Sequence, residues 1–318
     1  MLDQAQRNQA QRNPAQRSQA QRSYLSRRSV LAGGAAIATA VIAGPGRVVA
    51  ASDAAGINFQ TTGSKDPTLI FVHGFACALS DWDGQVSALS PNYRCVALDL
   101  PGHGNSAMPP EPTIEALAKA VNTVKDGAGG SKAILIGHSM GCRVILEAFL
   151  QSKANIAGLA FVDGSILGGD PATGVAKAKD AIAKAGIDAF SQRLFNDMFL
   201  PGSDEQTKQR IVSRAGSIDP KFREELFVNT VRWDLTKSRD GLKQLTVPAL
   251  VLQATYINSD LKRAPIQAGM TTPWMDAVAQ LAPKSEARII PNSGHFAMID
   301  AVQPVNDEIN KFALGVKA

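Results

Sequence analysis

Cysteine and histidine are scarce in this chain: three cysteines and four histidines among 318 residues. Cys77, Cys95 and Cys142 are too few, and odd in number, for a disulfide framework. None has metal-ligand spacing, so all three read as core or near-core residues and no metal centre is expected. A phosphate-binding loop is also missing. "GPG" near residue 44 lies in the N-terminal leader, and "GAGG" at 127–130 precedes a strand pattern where a phosphate loop would follow one. A dinucleotide-binding fold is thereby disfavoured, and no cofactor is expected.

Positive charge is present but misplaced for nucleic acid. The formal charge is +5 and the pI about 9.1. Arg7, Arg12, Arg17, Arg22, Arg27, Arg28 and Arg47 stand against Asp3 alone in residues 1–50, which is +6, leaving 5 − 6 = −1 for residues 51–318. The basicity belongs to the leader, and the remaining domain has no electrostatic case for binding nucleic acid.

The leader has three parts. Residues 4–23 form a five-residue polar repeat too poor in apolar side chains to offset chain entropy, and disorder is expected there; an upstream extension from a misassigned start is the other reading. Next comes "SRRSVLAGGAAIATAVIAGPG", then "RVVAAS", whose small residues suit cleavage near Ala50 or Ala51. The apolar run is short and poor in Leu and Ile for a stable span. The segment resembles a twin-arginine export signal. That resemblance implies the twin-arginine export machinery as a partner, a processed chain without a stable membrane span, and a periplasmic or secreted location. The competing reading is a chance arginine pair before an uncleaved anchor.

Residues 51–318 read as one domain. Short runs of branched apolar residues recur at 68–72, 95–100, 133–137, 157–162, 249–252 and 287–290, bounded by Gly, Pro, Asn or Asp. Nearly continuous apolar runs mark strands covered on both faces of a parallel sheet. Between them Ile114, Leu117, Val121 and Val124 share one helical face, and Val302, Val305, Ile309, Phe312 and Val316 another. Alternating strands and amphipathic helices predict a doubly wound, mostly parallel α/β sheet. Residues 165–245 lack any strand pattern, and are expected to form a helical lid inserted between two sheet strands.

The stretch "AILIGHSMGCRVILEAFL", 133–150, starts as a strand and ends as a helix, with Gly137-His138-Ser139-Met140-Gly141 between. Gly-x-Ser-x-Gly at such a junction predicts a strained turn that lifts Ser139 at the carboxyl end of a sheet strand. The glycines remove Cβ atoms that would collide with neighbouring backbone. The following helix aims free N–H groups at developing negative charge.

Here the chain resembles the α/β-hydrolase family over nearly all of residues 57–316. "LIFVHGFACALSDW" is similar to its first strand and oxyanion loop, "YRCVALDLPGHGNS" to the next strand and turn, and "LIGHSMG" to its nucleophile elbow. "IIPNSGHFAMIDAVQPVNDEI" is similar to its last strand, catalytic-histidine loop and final helix. The resemblance implies Ser139 as nucleophile and His295 as base, with His73, His103, His138 and Asp99 structural. It implies oxyanion donors in the backbone N–H groups of Phe75 and Met140. Cys77 and Trp82 are potential pocket walls, and Phe195, Met198, Phe199 and Trp233 a potential roof. The family's usual acid position, counted from Pro248, falls on Ile257. Asp163, at the end of "AGLAFV", is the favoured acid; Asp260 is the alternative, and Asp234 a fallback.

The resemblance implies a serine hydrolase of small to medium, fairly apolar carboxylic esters or lactones, working through an acyl-enzyme. The alternatives are C–C bond hydrolysis, cofactor-free perhydrolysis, or a non-enzymatic small-molecule receptor on the same fold.

Overall fold

The structure, a computed structural model, describes residues 49–52, 56–258 and 262–317. The polar repeat, the twin-arginine stretch and Asp260 therefore lie outside the described residues.

Eight strands form one sheet: β1 (Val49–Ser52), β2 (Asn58–Thr62), β3 (Thr68–Val72), β4 (Arg94–Leu98), β5 (Ala133–His138), β6 (Ile156–Val162), β7 (Ala249–Gln253) and β10 (Ser285–Ile289). Their order is β1-β2-β4-β3-β5-β6-β7-β10; β1 and β2 run antiparallel to their neighbours, and every other pairing is parallel. The expected strands are all there, within two residues at each end. β1 and β2 are additions: β1 (VAAS) is only four residues long, and β2 (NFQTT) is too polar to form an apolar run. β1 occupies the stretch in which leader cleavage was expected. A second addition is the small antiparallel hairpin of β8 (Thr255–Ile257) and β9 (Arg263–Pro265), set between β7 and β10.

β3 and β5 are buried at every residue, as strands with helices on both faces must be. The helices α1 (Asp83–Leu89), α2 (Ile114–Gly127), α3 (Met140–Gln151), α8 (Pro273–Leu281), α9 (Ala297–Asp300) and α10 (Val302–Lys317) pack on the sheet or on one another. α2 buries Ile114, Leu117, Val121 and Val124, the face its spacing predicts.

Between β6 and β7 the chain makes four helices and no strand: α4 (Pro171–Ala185), α5 (Ile187–Asn196), α6 (Glu205–Ser217) and α7 (Pro220–Lys243). The insertion falls within 165–245, as expected. Gly186, at φ 75°, divides α4 from α5. α6 buries only Ile211 and Ala215.

Strand register places the site. Val72 pairs with Gly137, His138 with Val162, Val162 with Leu252, and Gln253 with Ile289. The next residues along these strands, His73, Ser139, Asp163 and the loop leading to His295, thus leave the sheet at one edge. β3 has β4 on one side and β5 on the other, so the chain order reverses there, where open α/β sheets bind ligands.

Candidate active site

Ser139 sits between β5 and α3 at φ 54°, ψ −115°, a conformation costing a non-glycine residue about 1–3 kcal/mol. Packing holds it there. A Cβ at Gly137 would stand 2.4 Å from the Gly141 carbonyl oxygen, and one at Gly141 would stand 2.5 Å from that of Val72. Real Cβ atoms do not approach so closely, so only glycine lets the first turn of α3 press onto β3 and β5. The Ser139 amide donates to the Val162 carbonyl at 3.0 Å, tying the turn to β6.

His295 follows β10 on a loop with three anchors. Its amide donates to the Met198 carbonyl (3.0 Å), its carbonyl accepts from Nε2 of His138 (2.8 Å), and the Gly294 amide donates to Asp300 (2.9 Å). The rings of His138 and His295 lie 4.7 Å apart, so the elbow and the histidine loop meet through His138. Nδ1 of His295 donates to Oδ2 of Asp163 at 2.6 Å. A carboxylate only accepts, so the proton is on Nδ1 and the lone pair on Nε2. Nε2 is buried without a hydrogen-bond partner and does not bond Ser139.

Asp163 is buried at the end of β6, with φ 46°. Oδ1 accepts from the amides of Ala254 and Thr255 (both 2.8 Å) and from Nε2 of Gln253 (3.0 Å). Oδ2 accepts from His295, from the Thr255 hydroxyl (2.6 Å) and from the Arg263 guanidinium (3.3 Å). Burial alone would raise its pKa; the His295 hydrogen bond, the neighbouring charges and Thr255 together outweigh burial and hold the carboxyl below its usual range. His295 is pushed down to about 4, chiefly by burial and then by the Arg263 charge, against the opposing pull of Asp163.

The other histidines and acids are spent elsewhere. His73 accepts from the Leu100 amide (2.9 Å) and donates to the Gly74 carbonyl (2.8 Å). His103 accepts from the Ala76 amide (3.2 Å) and donates to the Pro101 carbonyl (3.1 Å). Asp99 accepts from the Leu79 and Asn105 amides and from Asn58. Asp234 forms a 2.6 Å ion pair with Arg143, joining α7 to α3, and does not reach His295.

The amides of Phe75 and Met140 donate to no protein acceptor among the described residues. For Met140 this follows from its place as the first residue of α3. The Phe75 ring faces Phe195 (6.5 Å) and Phe227 (5.8 Å) from the insertion, and Phe199 stacks on Phe296 at 5.1 Å. Two of the residues expected around the pocket also make contacts within the fold. Trp233 donates to Glu147 (2.8 Å), and Trp82 lies in the core against Phe71 (5.3 Å). A cavity of about 430 Å³ adjoins the histidine loop, lined among others by Phe199, Asn292, Gly294 and Asp300, but not by Ser139. Sequence reading missed the cradle of Gln253, Thr255 and Arg263, since the β8–β9 hairpin carries no pattern of its own.

Among the described residues no group of His, Cys, Asp and Glu could hold a metal ion, and no helix is long and apolar enough to cross a membrane.

Residues 69–308 match the model of an alpha/beta hydrolase family. The chain is 30% identical to a 2-succinyl-6-hydroxy-2,4-cyclohexadiene-1-carboxylate synthase of Klebsiella pneumoniae, over 74% of this chain and 88% of that one. It is 28% identical, over 80% of its length, to the dihydrolipoyllysine-residue acetyltransferase component of the acetoin cleaving system of Pseudomonas putida, of which it spans 65%. Among solved structures a thermophilic esterase from Thermogutta terrifontis superposes with a TM-score of 0.68 at 21% identity, covering 86% of this chain and 100% of that one. With this sheet order and a serine elbow at its centre, the chain belongs to the alpha/beta hydrolase family.

Proposed function

We propose that the enzyme cleaves carboxylic esters, small to medium and fairly apolar, or lactones, through an acyl-enzyme on Ser139. His295 Nε2 takes the Ser139 proton as Oγ attacks the carbonyl carbon. The tetrahedral oxyanion accepts from the Phe75 and Met140 amides, each such donor contributing about 3–4 kcal/mol. His295 then returns the proton to the leaving alkoxide, and water repeats the sequence on the acyl-enzyme. Asp163 holds the imidazole in the tautomer that leaves Nε2 free. The observation that carries this reading is the 2.6 Å bond from His295 Nδ1 to Asp163, with Nε2 unpartnered beside the elbow. The phenylalanines around the oxyanion loop favour an uncharged, apolar acyl group.

The test is trapping with a phosphonate ester followed by peptide mapping. Label on Ser139, lost in Ser139→Ala and His295→Ala together with nitrophenyl-ester turnover, is the expected result; label elsewhere overturns it. The Klebsiella pneumoniae relative, named a synthase, favours a second reading in which the same residues act on a substrate that is not an ester. Labelling of Ser139 without turnover of any ester would select it. The proposal extends to location: export by the twin-arginine machinery to the periplasm or beyond rests on Arg27-Arg28 and the run after it. Arg27→Lys with Arg28→Lys should retain the enzyme inside the cell.

A further inference from the structure

The Asp163 carboxylate has more donors than it needs. Two backbone amides, Gln253 and the Thr255 hydroxyl supply four hydrogen bonds, and His295 a fifth. An ionised carboxylate offers about four lone-pair sites, so the anion is satisfied before Arg263 is counted. Yet Arg263, on β9, places a full positive charge 3.3 Å from Oδ2, the oxygen that His295 uses. Its NH1 also donates to the Thr255 hydroxyl at 2.6 Å, and that hydroxyl donates to Oδ2. The side chain is largely buried.

We propose that Arg263 is a positioning residue of the reaction, acting through Asp163: it fixes Oδ2 for His295 and cancels the carboxylate charge, so that the imidazole stays uncharged in acid and activity persists there. The inference rests on the reading of His295 as the base. An Asp–His pair without a third charge favours the imidazolium, because the carboxylate attracts it. With Arg263 in place, Asp163 and Arg263 sum to zero, and a proton on His295 would be an uncompensated buried charge. Of the other charged or titratable groups nearby, Asp300 accepts from the Gly294 amide of the histidine loop, and Asp197 acts on Arg263 without an ion-pair contact, whereas the carboxylate bonded to His295 is Asp163. Arg143 on α3 is itself cationic and paired with Asp234, and His138 at the end of β5 is held neutral by burial. The β8–β9 hairpin thus lends a cation to an acid that resides one strand earlier, at the end of β6.

The experiment compares full-length wild type with Arg263→Gln and Arg263→Lys. His295 is titrated by histidine-selective NMR and assigned by its absence from His295→Gln; kcat/KM against pH is measured on a nitrophenyl ester. In Arg263→Gln both the His295 titration and the acid limb should move up by on the order of one pH unit. Arg263→Lys, which keeps the charge, should leave both near wild type. A merely structural arginine would move neither. The inference is overturned if folded Arg263→Gln titrates as wild type does, or if Arg263→Lys moves as far as Arg263→Gln. Should the glutamine variant fail to fold, Arg263→Met, which also removes the charge, takes its place: a His295 titration moved upward supports the proposal, an unchanged one overturns it. A His295 titration that moves without the acid limb supports the hold of Arg263 on His295 and overturns His295 as the base, so the two failures are distinguishable.

Discussion

Asp163 and His295, 132 residues apart in the chain, share a buried hydrogen bond of 2.6 Å. The bond joins the end of β6 to the loop after β10, across the intervening strand β7. Replacing Asp163 with Asn puts an amide, itself a donor, among groups that all donate. Expected is a fall in kcat on the order of 10³–10⁴, with Ser139 still present and the fold retained by circular dichroism. Asp260→Asn should leave kcat near wild type. Steady-state kinetics on one ester checks both, and the opposite ranking would move the acid to Asp260.

Stability should fall steadily in acid. His73, His103 and His138 are pushed down to about 3 and His295 to about 4, by burial first in each case, from 6.5. Each binds a proton more readily unfolded than folded, so stability is complete above about pH 6.5 and is lost as pH drops toward 4 and 3. Asp163, held below 3.8, adds a loss in the same direction at the bottom of that window. Thermal midpoints between pH 7 and pH 4 should decline, and His103→Asn should flatten part of the slope. A flat profile over this range would contradict the burial of neutral imidazoles.

The elbow glycines and an exposed helix glycine should respond oppositely to alanine. Gly141→Ala drives a Cβ to 2.5 Å from the Val72 carbonyl oxygen, which backbone cannot yield cheaply. A loss of about 2–3 kcal/mol in urea unfolding is expected. Gly216 in α6 has nothing within 4 Å of the new atom, and Gly216→Ala should stabilise by about 0.5–1 kcal/mol.

Asp81, fully buried, pairs with Arg214 of α6 at 2.6 Å and accepts from the Ala78 amide, so the insertion is tied to the segment just after the oxyanion loop. Arg214→Met leaves the buried carboxylate with only the half-exposed Arg210, 3.8 Å from its other oxygen, at a cost of about 3 kcal/mol. Asp81→Leu with Arg214→Met should lose less than the two single changes summed. A double-mutant cycle by denaturant unfolding measures the coupling, and additivity would show the pair to be idle.

The three thiols should be silent in the folded protein. Burial raises all of them, Cys95 and Cys142 to about 12, and the neighbouring Asp81 raises Cys77 further. An aromatic disulfide reagent at pH 8 should react only on unfolding; prompt reaction of one thiol in native protein would place it at the surface.

What residues declare locally was legible without coordinates. Both-faces-buried strands need unbroken apolar runs, and a strand-to-helix reversal under close packing needs Gly137 and Gly141; each of these constraints is written in adjacent residues. Ser139 and His295 could be singled out on such grounds, together with a family likeness. The carboxylate partner of His295 could not, because Asp163 and Asp260 look alike along the chain. Strand order and register decided it, setting Val162 beside His138 and Leu252, and so aiming Asp163 at the histidine loop. Arg263 was invisible for the same reason: the charge that matters to His295 arrives through space, on a hairpin with no hydrophobic pattern. Local conformational limits belong to neighbours in sequence, whereas electrostatics belongs to whichever groups the folded chain brings near.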